Sequence, residues 1–528
     1  MTTALLLLLA AAAQFTEITT ESGADVVHDP GANEDYLLPE ITGSGAAFLD
    51  FDSDGDLDVY VVQATGANRL FAQEANGKFV DVTASAGVGD TGYGMGVAVG
   101  DIDNDGYVDL YVTNDGADRL YLNDGAGSFS DVTDSHGIAG EHWSASATFC
   151  DFDADGFLDL YVTHYVTYDA EKSCTQSDGS KDYCSPQVFP GTPDALYRNQ
   201  DGKRFVDVSA RAGIRDARAP GLGVLCADLN GDGALDFYVA NDGEANQLWQ
   251  GSGDGTFVDE ALLLGVALDD RGQPEAGMGI TAGDIDADGD LDLFMTHIIN
   301  QTNTLYVYDR DLGYEDRSTA AGVGATSLAM TGFGTGFVDF DHDGDLDIAI
   351  ANGRVQRHPA LPGASMSEYW NAYAEPNQLL ENDGERYVDV SADSGDFGRP
   401  VEVSRGLALG DVDADGDIDL LVMNTASSVR LYRNDADKKG DWLLVETKVG
   451  KRDAHGALVT VVAGGARSTR LATPGYGYLS SHDPRAHFGI LGASSVEHIE
   501  VVWPDGTKES FPGGATNRRV VVTKGTGN

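Results

Sequence analysis

A polar and apolar pattern repeats along most of the chain. Each copy begins with an acidic loop that contains glycine, and a short run of β-branched and aromatic residues follows, such as LDVYVV or LDFYVA. A stretch similar to LYRN comes next, and then one similar to FVDV. Short apolar runs bounded by Gly, Asn and Asp predict β-strands. Four such strands in a period of about fifty residues predict one blade of a β-propeller.

The strand before each loop is rich in small residues. In six copies a glycine stands five residues before the loop, and the third copy has serine there. Repeated glycine indicates close backbone approach, as expected where inner strands crowd an axis. The positions are Gly45, Gly96, Ser146, Gly223, Gly279, Gly334 and Gly406.

Seven copies predict an all-β, seven-bladed propeller over residues 15–435. The seventh copy lacks its fourth strand, but FTEITT, from Phe15, has the character of the missing element. We therefore expect the N-terminal strand to complete the last blade and close the ring, which removes exposed sheet edges. From residue 436 to 528, alternating strands joined by Gly and Pro turns predict a small C-terminal β domain.

The acidic loops have the spacing D-x-D-x-D-G-x-x-D. Carboxylates at positions 1, 3, 5 and 9, with the carbonyl of position 7, can surround one hard cation, and Gly at position 6 permits the tight turn. This pattern predicts up to seven Ca²⁺ sites. The predicted ligand residues, with position 7 offering only its backbone carbonyl, are Asp50, Asp52, Asp54, Asp56 and Asp58; Asp101, Asp103, Asp105, Tyr107 and Asp109; Asp151, Asp153, Asp155, Phe157 and Asp159; Asp228, Asn230, Asp232, Ala234 and Asp236; Asp284, Asp286, Asp288, Asp290 and Asp292; Asp339, Asp341, Asp343, Asp345 and Asp347; and Asp411, Asp413, Asp415, Asp417 and Asp419.

The residues after the loops exclude an EF-hand. An EF-hand needs a bidentate Glu at loop position 12 and an exiting helix, whereas position 12 is apolar in all seven copies, as at Val61 and Met295. Because the loops occupy equivalent places, seven active sites are implausible, and the metal is expected mainly to staple each blade. Mg²⁺ is the weaker candidate because it demands octahedral geometry and keeps waters.

Charge narrows the range of partners. The chain has 86 acidic and 33 basic residues and a formal net charge of -53. Nucleic acid or an anionic membrane needs a basic footprint, so neither is expected as a partner. Residues 1–14, MTTALLLLLAAAAQ, are interpreted as a signal peptide, the alternative being a buried N-terminal helix. We expect a secreted or periplasmic protein with no membrane span.

The four cysteines divide into two pairs. Cys174 and Cys184 bracket a polar insert, for which a disulfide is expected in an oxidising compartment. Cys150 and Cys226 lie on apolar strands before two loops, and we expect them to be buried thiols.

Histidines are candidates for a second kind of site. His164 and His297 stand where other copies have Asn, which favours a shared hydrogen-bonding role at a strand end over catalysis. His482, His487 and His498 could form a zinc or acid-base cluster, although they lack the usual spacing.

An aromatic insert occupies residues 353–376. It carries Tyr369, Trp370 and Tyr373. Long propeller loops project from one face, and exposed aromatic residues anchor interfaces, so this insert is a candidate partner surface. Packing over the mouth of the channel is an equally good interpretation.

The motifs together resemble the FG-GAP/VCBS-repeat secreted proteins of the cartilage acidic protein-like family, which end in an ASPIC/UnbV domain. The repeats carry the first part of the resemblance, and the insert C-x9-C-S-P with the stretch GYGYLSSHDPRAHFG carries the rest. Two departures, Ile490 within the HFG segment and Ser481 after GYLS, fall in the C-terminal part.

The resemblance implies a secreted calcium-binding propeller with integrin-like repeats that acts in adhesion or extracellular recognition, with an unknown protein or glycan as partner. Two alternatives are a calcium-dependent enzyme that uses the propeller face or channel, and a glycan-binding protein.

Overall fold

Seven antiparallel units of four strands, called sheets below, form the larger part of the molecule, and backbone pairing of residues 142–143 with residues 115–116 joins the second and third units. The computed structural model describes residues 14–32 and 35–528, so the predicted signal peptide lies almost wholly outside the described residues. The N-terminal strand β1 belongs to the last sheet, and the strands of the first three sheets follow it in chain order. They are β1 (Phe15–Glu17); β2 (Ala46–Leu49), β3 (Asp58–Val61), β4 (Arg69–Glu74) and β5 (Lys78–Asp81); β6 (Tyr93–Gly100), β7 (Asp109–Gly116), β8 (Arg119–Asn123) and β9 (Phe129–Asp131); and β10 (His142–Cys150), β11 (Asp159–His164), β14 (Ala195–Asn199) and β15 (Phe205–Asp207), with a small hairpin of β12 (Cys174–Thr175) and β13 (Lys181–Asp182).

The remaining four sheets repeat this order. The last of them has three strands of its own and takes β1 as its fourth. The strands are β16 (Gly221–Ala227), β17 (Asp236–Asn241), β18 (Gln247–Gly251) and β19 (Phe257–Asp259); β20 (Ile280–Gly283), β21 (Asp292–Met295), β22 (Thr304–Asp309) and β23 (Gly313–Asp316); β24 (Gly332–Val338), β25 (Asp347–Asn352), β27 (Gln378–Asn382) and β28 (Tyr387–Asp389); and β30 (Ser404–Gly410), β31 (Asp419–Asn424) and β32 (Arg430–Asn434), with a two-stranded pair of β26 (Glu375–Pro376) and β29 (Val401–Glu402).

The ring closes through its two ends. The inner strands β2, β6, β10, β16, β20, β24 and β30 contact one another in this order, and β30 contacts β2. Strand β1 pairs antiparallel with β32, with Phe15 opposite Asn434. The all-β propeller prediction is confirmed, and so is the expected pairing of the N-terminal strand with the last sheet.

The helices are single turns between strands or in the inserts. Several follow an outer strand and end at a left-handed glycine, such as Gly87 and Gly213. Among the described residues, no helix has the length and apolar character to cross a membrane. The helices are α1 (Thr19–Ser22), α2 (Leu38–Thr42), α3 (Thr83–Ala86), α4 (Ser209–Ala212), α5 (Ala261–Leu264), α6 (Val323–Ser327) and α7 (Glu368–Asn371), with 3₁₀ turns at Pro186–Val188 and Ser391–Asp393.

The C-terminal segment folds as two further sheets. In one, β33 lies between β37 and β40, while the other has the order β36-β35-β38-β39. Apolar side chains of both sheets form a separate core that includes Trp503 and Phe488. The strands are β33 (Asp441–Val449), β34 (Arg452–Asp453), β35 (Ala457–Ala463), β36 (Ala466–Ala472), β37 (Ala486–Ile490), β38 (Ser495–Val502), β39 (Lys508–Ala515) and β40 (Arg518–Thr523).

Residues 474–483, between β36 and β37, form a plug on the propeller axis. The backbone of this plug bonds to inner strands: Val97 N donates to Leu479 O at 3.1 Å, and Gly477 N donates to Ile280 O at 2.6 Å. Ser146 Oγ accepts a bond from Leu479 N at 3.0 Å. The serine that stands in place of glycine in the third copy therefore accepts a hydrogen bond from the plug. The first part of the stretch GYGYLSSHDPRAHFG, one of the motifs that carried the family resemblance, thus forms the plug of the channel.

The plug and the neighbouring strands account for the inner-strand glycines. A Cβ on Gly45 would lie 1.7 Å from Leu479 O, and one on Gly406 would lie 2.5 Å from Ser480 Oγ. A Cβ on Gly279 would lie 2.2 Å from the carbonyl of Phe333 on the next inner strand. The predicted close backbone approach around the axis is confirmed.

The two cysteine pairs both form disulfides. Cys174 bonds to Cys184, as predicted. The expectation of buried thiols at Cys150 and Cys226 is wrong, because these residues are bonded to each other. They stand near the ends of β10 and β16, two inner strands that contact each other, with Cα atoms 6.5 Å apart. The disulfide links two neighbouring sheets of the ring.

The long inserts cover one mouth of the channel. Trp370 and Tyr373 are buried in one cluster with Tyr183 of the first insert and with α2. Tyr373 Oη donates to Asp182 at 2.7 Å, which joins the two inserts. Of the two interpretations of the aromatic insert, packing over the channel mouth holds for Trp370 and Tyr373.

Replacement of Gly45 by alanine tests the contact between the plug and the ring. We expect Gly45→Ala to lower the free energy of unfolding by about 1–3 kcal/mol, because the new methyl group overlaps Leu479 O. The measurement is denaturant unfolding in excess Ca²⁺. Gly324→Ala is the control, since its Cβ would be 3.4 Å from the nearest atom. Equal stability of the two variants would contradict the plug contact.

Glu40, in α2 beneath the inserts, predicts a pH dependence. Burial raises the pKa of Glu40 from 4.5 to about 7. Because the folded protein holds this proton more tightly, wild type loses stability as the pH rises from 4.5 to about 7. We expect Glu40→Gln to be more stable than wild type at pH 8, by about 1–2 kcal/mol, with little difference near pH 4.5. Denaturant unfolding at both pH values measures this, and the exposed Glu244→Gln should show no such crossover.

Candidate metal centres

The seven acidic loops have the same backbone shape. Each connects an inner strand to the next strand of its sheet, and in each the residues at positions 4 and 6 have positive φ. Position 4 has φ between 55° and 74°, as at Ser53 and Gly231, and the glycine of position 6 has φ between 90° and 98°. Two left-handed residues in nine curl the backbone so that its N–H groups face the side chains of the same loop.

Positions 1 and 5 accept hydrogen bonds from inside the loop. In all seven loops Oδ2 of the first aspartate accepts the N–H of the position 6 glycine at 2.8–3.1 Å. Oδ1 of the fifth residue accepts the N–H of position 7 at 2.9–3.1 Å. Each loop is therefore shaped by its own carboxylates.

The aspartate at position 9 ties the loop to the rest of its sheet. Its Oδ2 accepts the N–H of position 2 at 2.9–3.3 Å. Its Oδ1 accepts an N–H from the third strand at 2.7–2.9 Å. We call these seven buried residues the brace aspartates, and they are Asp58, Asp109, Asp159, Asp236, Asp292, Asp347 and Asp419.

Three of the predicted ligands come together in each of at least five loops. Carboxylate oxygens of positions 1, 3 and 9 lie within 4.8 Å of one another. The position 5 aspartate is not part of these groups. The groups are Asp50, Asp52 and Asp58; Asp101, Asp103 and Asp109; Asp151, Asp153 and Asp159; Asp284, Asp286 and Asp292; and Asp339, Asp341 and Asp347.

Buried oxygens without hydrogen-bond partners identify the position where a cation fits. Oδ1 of the first aspartate has no partner in four loops, and three of these residues, Asp151, Asp339 and Asp411, are at most 7% exposed. A buried carboxylate oxygen without a partner is costly. Since every donor in the group is a hard oxygen, the residues fit Ca²⁺ better than a softer metal.

The electrostatics of the loops also favour a cation. Burial, followed by repulsion from Asp54 and Asp52, raises the pKa of Asp50 to about 6. Burial raises the pKa of Asp58 to about 8 and that of Asp339 to about 7. Several carboxylates held this close cannot all stay ionised without a compensating positive charge.

Basic side chains of the C-terminal segment supply part of that charge. Arg452 Nη2 lies 3.0 Å from Asp151 Oδ2, and Lys439 Nζ lies 2.6 Å from Asp341 Oδ2. Arg470 donates to the carbonyl of Gly344 at 2.9 Å. These contacts were not predicted. The shift toward basic residues near the start of this segment was the only signal of them in the sequence.

The remaining predicted residues have varied partners. In the fourth loop, Asn230 replaces an aspartate, and its Nδ2 donates to Asp232 at 3.0 Å. At position 7, the side chain of Asp290 pairs with Arg310, and that of Asp417 pairs with Lys438 at 2.9 Å. These two carboxylates are thus engaged outside the loop centre.

The candidate histidines have separate partners. His164 Nδ1 lies 2.6 Å from Pro193 O, and Asn114 Nδ2 donates to Ala117 O, so the predicted hydrogen-bonding role at the strand end is confirmed for His164. His482 accepts a bond from Leu409 N, and His487 Nε2 lies 2.9 Å from Gly416 O. His498 pairs with Glu500. This distribution gives no support to a shared zinc site.

Two family models match the chain. The model described as FG-GAP-like repeat matches residues 50–112, 101–162 and 228–295, which contain five of the loops. The model described as ASPIC and UnbV matches residues 447–528. The chain carries FG-GAP repeats followed by an ASPIC/UnbV domain. The repeat matches coincide with sheets of the ring, and the second match covers most of the two C-terminal sheets.

Curated relatives extend this assignment. The chain is 28% identical over 313 residues to mouse cartilage acidic protein 1, a match that covers 57% of this chain and 44% of the relative. The human protein is also 28% identical, over 57% of this chain and 43% of the relative. The matched region thus spans less than half the length of these relatives.

Solved structures show weaker similarity. YCF48 bound to D1 peptide has a TM-score of 0.43 with 9% identity, over 81% of this chain and 99% of that one. An Agrocybe aegerita lectin that recognises non-reducing terminal N-acetylglucosamine has a TM-score of 0.34 with 13% identity, over 73% and 100%. These similarities are too low to support an inference about function.

Substitution of a brace aspartate separates its hydrogen bonds from metal binding. We expect Asp292→Asn to lower the free energy of unfolding by about 2–3 kcal/mol, even in the presence of a chelator. In wild type, both carboxylate oxygens accept backbone N–H groups, whereas in the variant the amide NH₂ would face one of these N–H groups and leave it without an acceptor. Urea unfolding with EDTA measures this. Asp290→Asn, in the same loop, removes only an ion pair with exposed Arg310 and should cost less than about 1 kcal/mol.

Proposed function

We propose that the chain is a secreted calcium-binding propeller that acts as an extracellular binding or adhesion module. The observation that carries the metal part is the unpartnered, buried Oδ1 of the first loop aspartate beside the convergent carboxylates. Residues at loop positions 1, 3 and 9 would hold the ion, together with the carbonyl of position 7. Bound Ca²⁺ would supply positive charge at the centre of each loop.

The metal acts as a staple in this proposal. The brace aspartate joins the loop to the third strand, so an ion on positions 1, 3 and 9 would bind the loop and the sheet as one unit. Metal binding to such a site is coupled to folding. The loops occupy equivalent places in the ring, which favours a structural role for most of them over catalysis.

Two disulfides support an extracellular or periplasmic location. Disulfides persist in oxidising compartments and are rare in the cytosol. The net charge of -53 argues against nucleic acid and anionic membranes as partners, because both are negatively charged. A glycan or an extracellular protein remains the proposed kind of partner.

The alternatives receive less support. An enzyme that used the propeller channel would need an open axis, whereas residues 474–483 fill it. A glycan platform on the second insert would need several exposed rings, whereas Trp370 is 8% exposed, Tyr373 is fully buried and only Tyr369 is half-buried. We therefore propose a non-catalytic role.

Metal analysis with thermal unfolding tests the proposal. We expect several Ca²⁺ ions per chain after dialysis, and a marked loss of stability on chelation, since each site at a free concentration one hundred times its Kd contributes about 2.7 kcal/mol. Mg²⁺ should restore less stability than Ca²⁺. Absence of both bound calcium and a shift in Tm would overturn the metal assignment.

A single variant assigns the ions to the loops. Asp339→Asn should reduce the bound calcium by about one ion per chain, because the neutral amide weakens a group of hard anionic ligands. Asp290→Asn is the matched control and should keep the full number. Equal calcium content in both variants would argue that the ions bind elsewhere.

A further inference from the structure

A cavity of about 230 Å³ lies at the channel mouth beneath the inserts. Leu222, Met278 and Phe333 line it from the beginnings of inner strands or just before them, so it is at the opposite end of these strands from the calcium loops. The plug contributes Tyr478, which closes the cavity toward the axis. The cavity is therefore separate from the metal centres.

Its wall is aromatic and its rim is polar. Tyr165, Tyr183 and Tyr478 are all buried and line the cavity with Phe333. Gln187 and Gln356, one from each insert, are exposed at the opening. A ligand could thus enter from solvent and pack its apolar part against the aromatic rings of the wall.

One carboxylate stands in this aromatic wall. Asp242 lines the cavity, and its Oδ2 accepts a bond from Tyr165 Oη at 2.6 Å. In the part of the chain that the structure describes, no basic side chain forms an ion pair with it. Burial raises the pKa of Asp242 to about 6, which leaves it largely ionised at neutral pH.

The buried guanidinium of Arg405 is not its partner. Arg405 donates to the carbonyls of Ile41, Gly353 and Arg354 and lies 4.0 Å from the centroid of Phe333. Its charge is therefore satisfied by backbone carbonyls and one ring face, and it does not line the cavity. Among the described residues that line the wall there is no lysine or arginine that could bind an anionic ligand.

We propose that this cavity binds a small organic cation, with its ammonium group beside Asp242 and its carbon groups against the tyrosines. A partly buried carboxylate without a counter-ion gains most from a cationic ligand. Aromatic walls attract quaternary ammonium groups through their negative ring faces. The volume is below the roughly 300 Å³ at which drug-sized pockets begin, so the ligand must be small.

Choline provides the probe. In excess Ca²⁺, the NMR signals of choline should broaden or shift when the protein is present, and choline chloride should raise the Tm of the protein. Its neutral carbon isostere, dimethylbutanol, should show neither effect. Sodium chloride at equal ionic strength controls for general screening of the acidic surface. Equal binding of choline and dimethylbutanol, or binding of a neutral monosaccharide alone, would overturn the proposal.

Two variants place the ligand in the cavity. Asp242→Asn should weaken choline binding at least about tenfold by removing the charge, whereas the exposed Asp270→Asn should not. Gln356→Trp, at the exposed rim, should block entry without disturbing the fold, which keeps the test valid if the Asp242 variant is unstable. Unchanged affinity in Gln356→Trp, or in a folded Asp242→Asn, would show that choline binds elsewhere.

Discussion

The confinement of several carboxylates within each acidic loop is the constraint on which the rest of the structure depends. Each loop places its charges at the junction between two strands of a sheet, where burial strengthens their repulsion. Three kinds of positive partner oppose that repulsion: backbone N–H groups of the curled loop, basic side chains of the C-terminal segment, and the proposed Ca²⁺. The brace aspartates show how the first kind works, since both of their oxygens accept backbone bonds and none of that bonding depends on metal.

The C-terminal segment completes the propeller in two ways. Its plug supplies backbone hydrogen bonds to inner strands that would otherwise face an empty axis, and its arginines reach loop carboxylates such as Asp151. The plug also explains why bulk cannot be added at Gly45. The ring and the C-terminal sheets therefore depend on each other for satisfied polar groups, and the segment is a structural part of the propeller.

Much of the fold could be predicted because it follows from local periodicity. The strand pattern, the loop spacing, the inner-strand glycines and the strand at Phe15 that pairs with β32 can all be recognised from residues close together in sequence. The disulfide of Cys150 and Cys226 was missed because the two residues stand at different repeat positions, one and two residues before their loops, so that no local pattern pairs them. The position of the plug could not be predicted, because nothing in the sequence of a segment between two β-strands of the C-terminal sheets indicates that it lies on the axis of the propeller.

The two ends of the channel therefore have different chemistry, and this difference limits what the module can recognise. At the loop end, some carboxylates meet arginines and lysines, and the proposed metal would compensate others. At the insert end, the plug and three buried tyrosines line a cavity in which Asp242 has no basic partner among the described residues. A ligand at this end would be sensed by both inserts and by Tyr478 of the plug at once. Binding there would add contacts between the C-terminal segment and the ring. Recognition of a ligand at the insert face would therefore also stabilise the propeller.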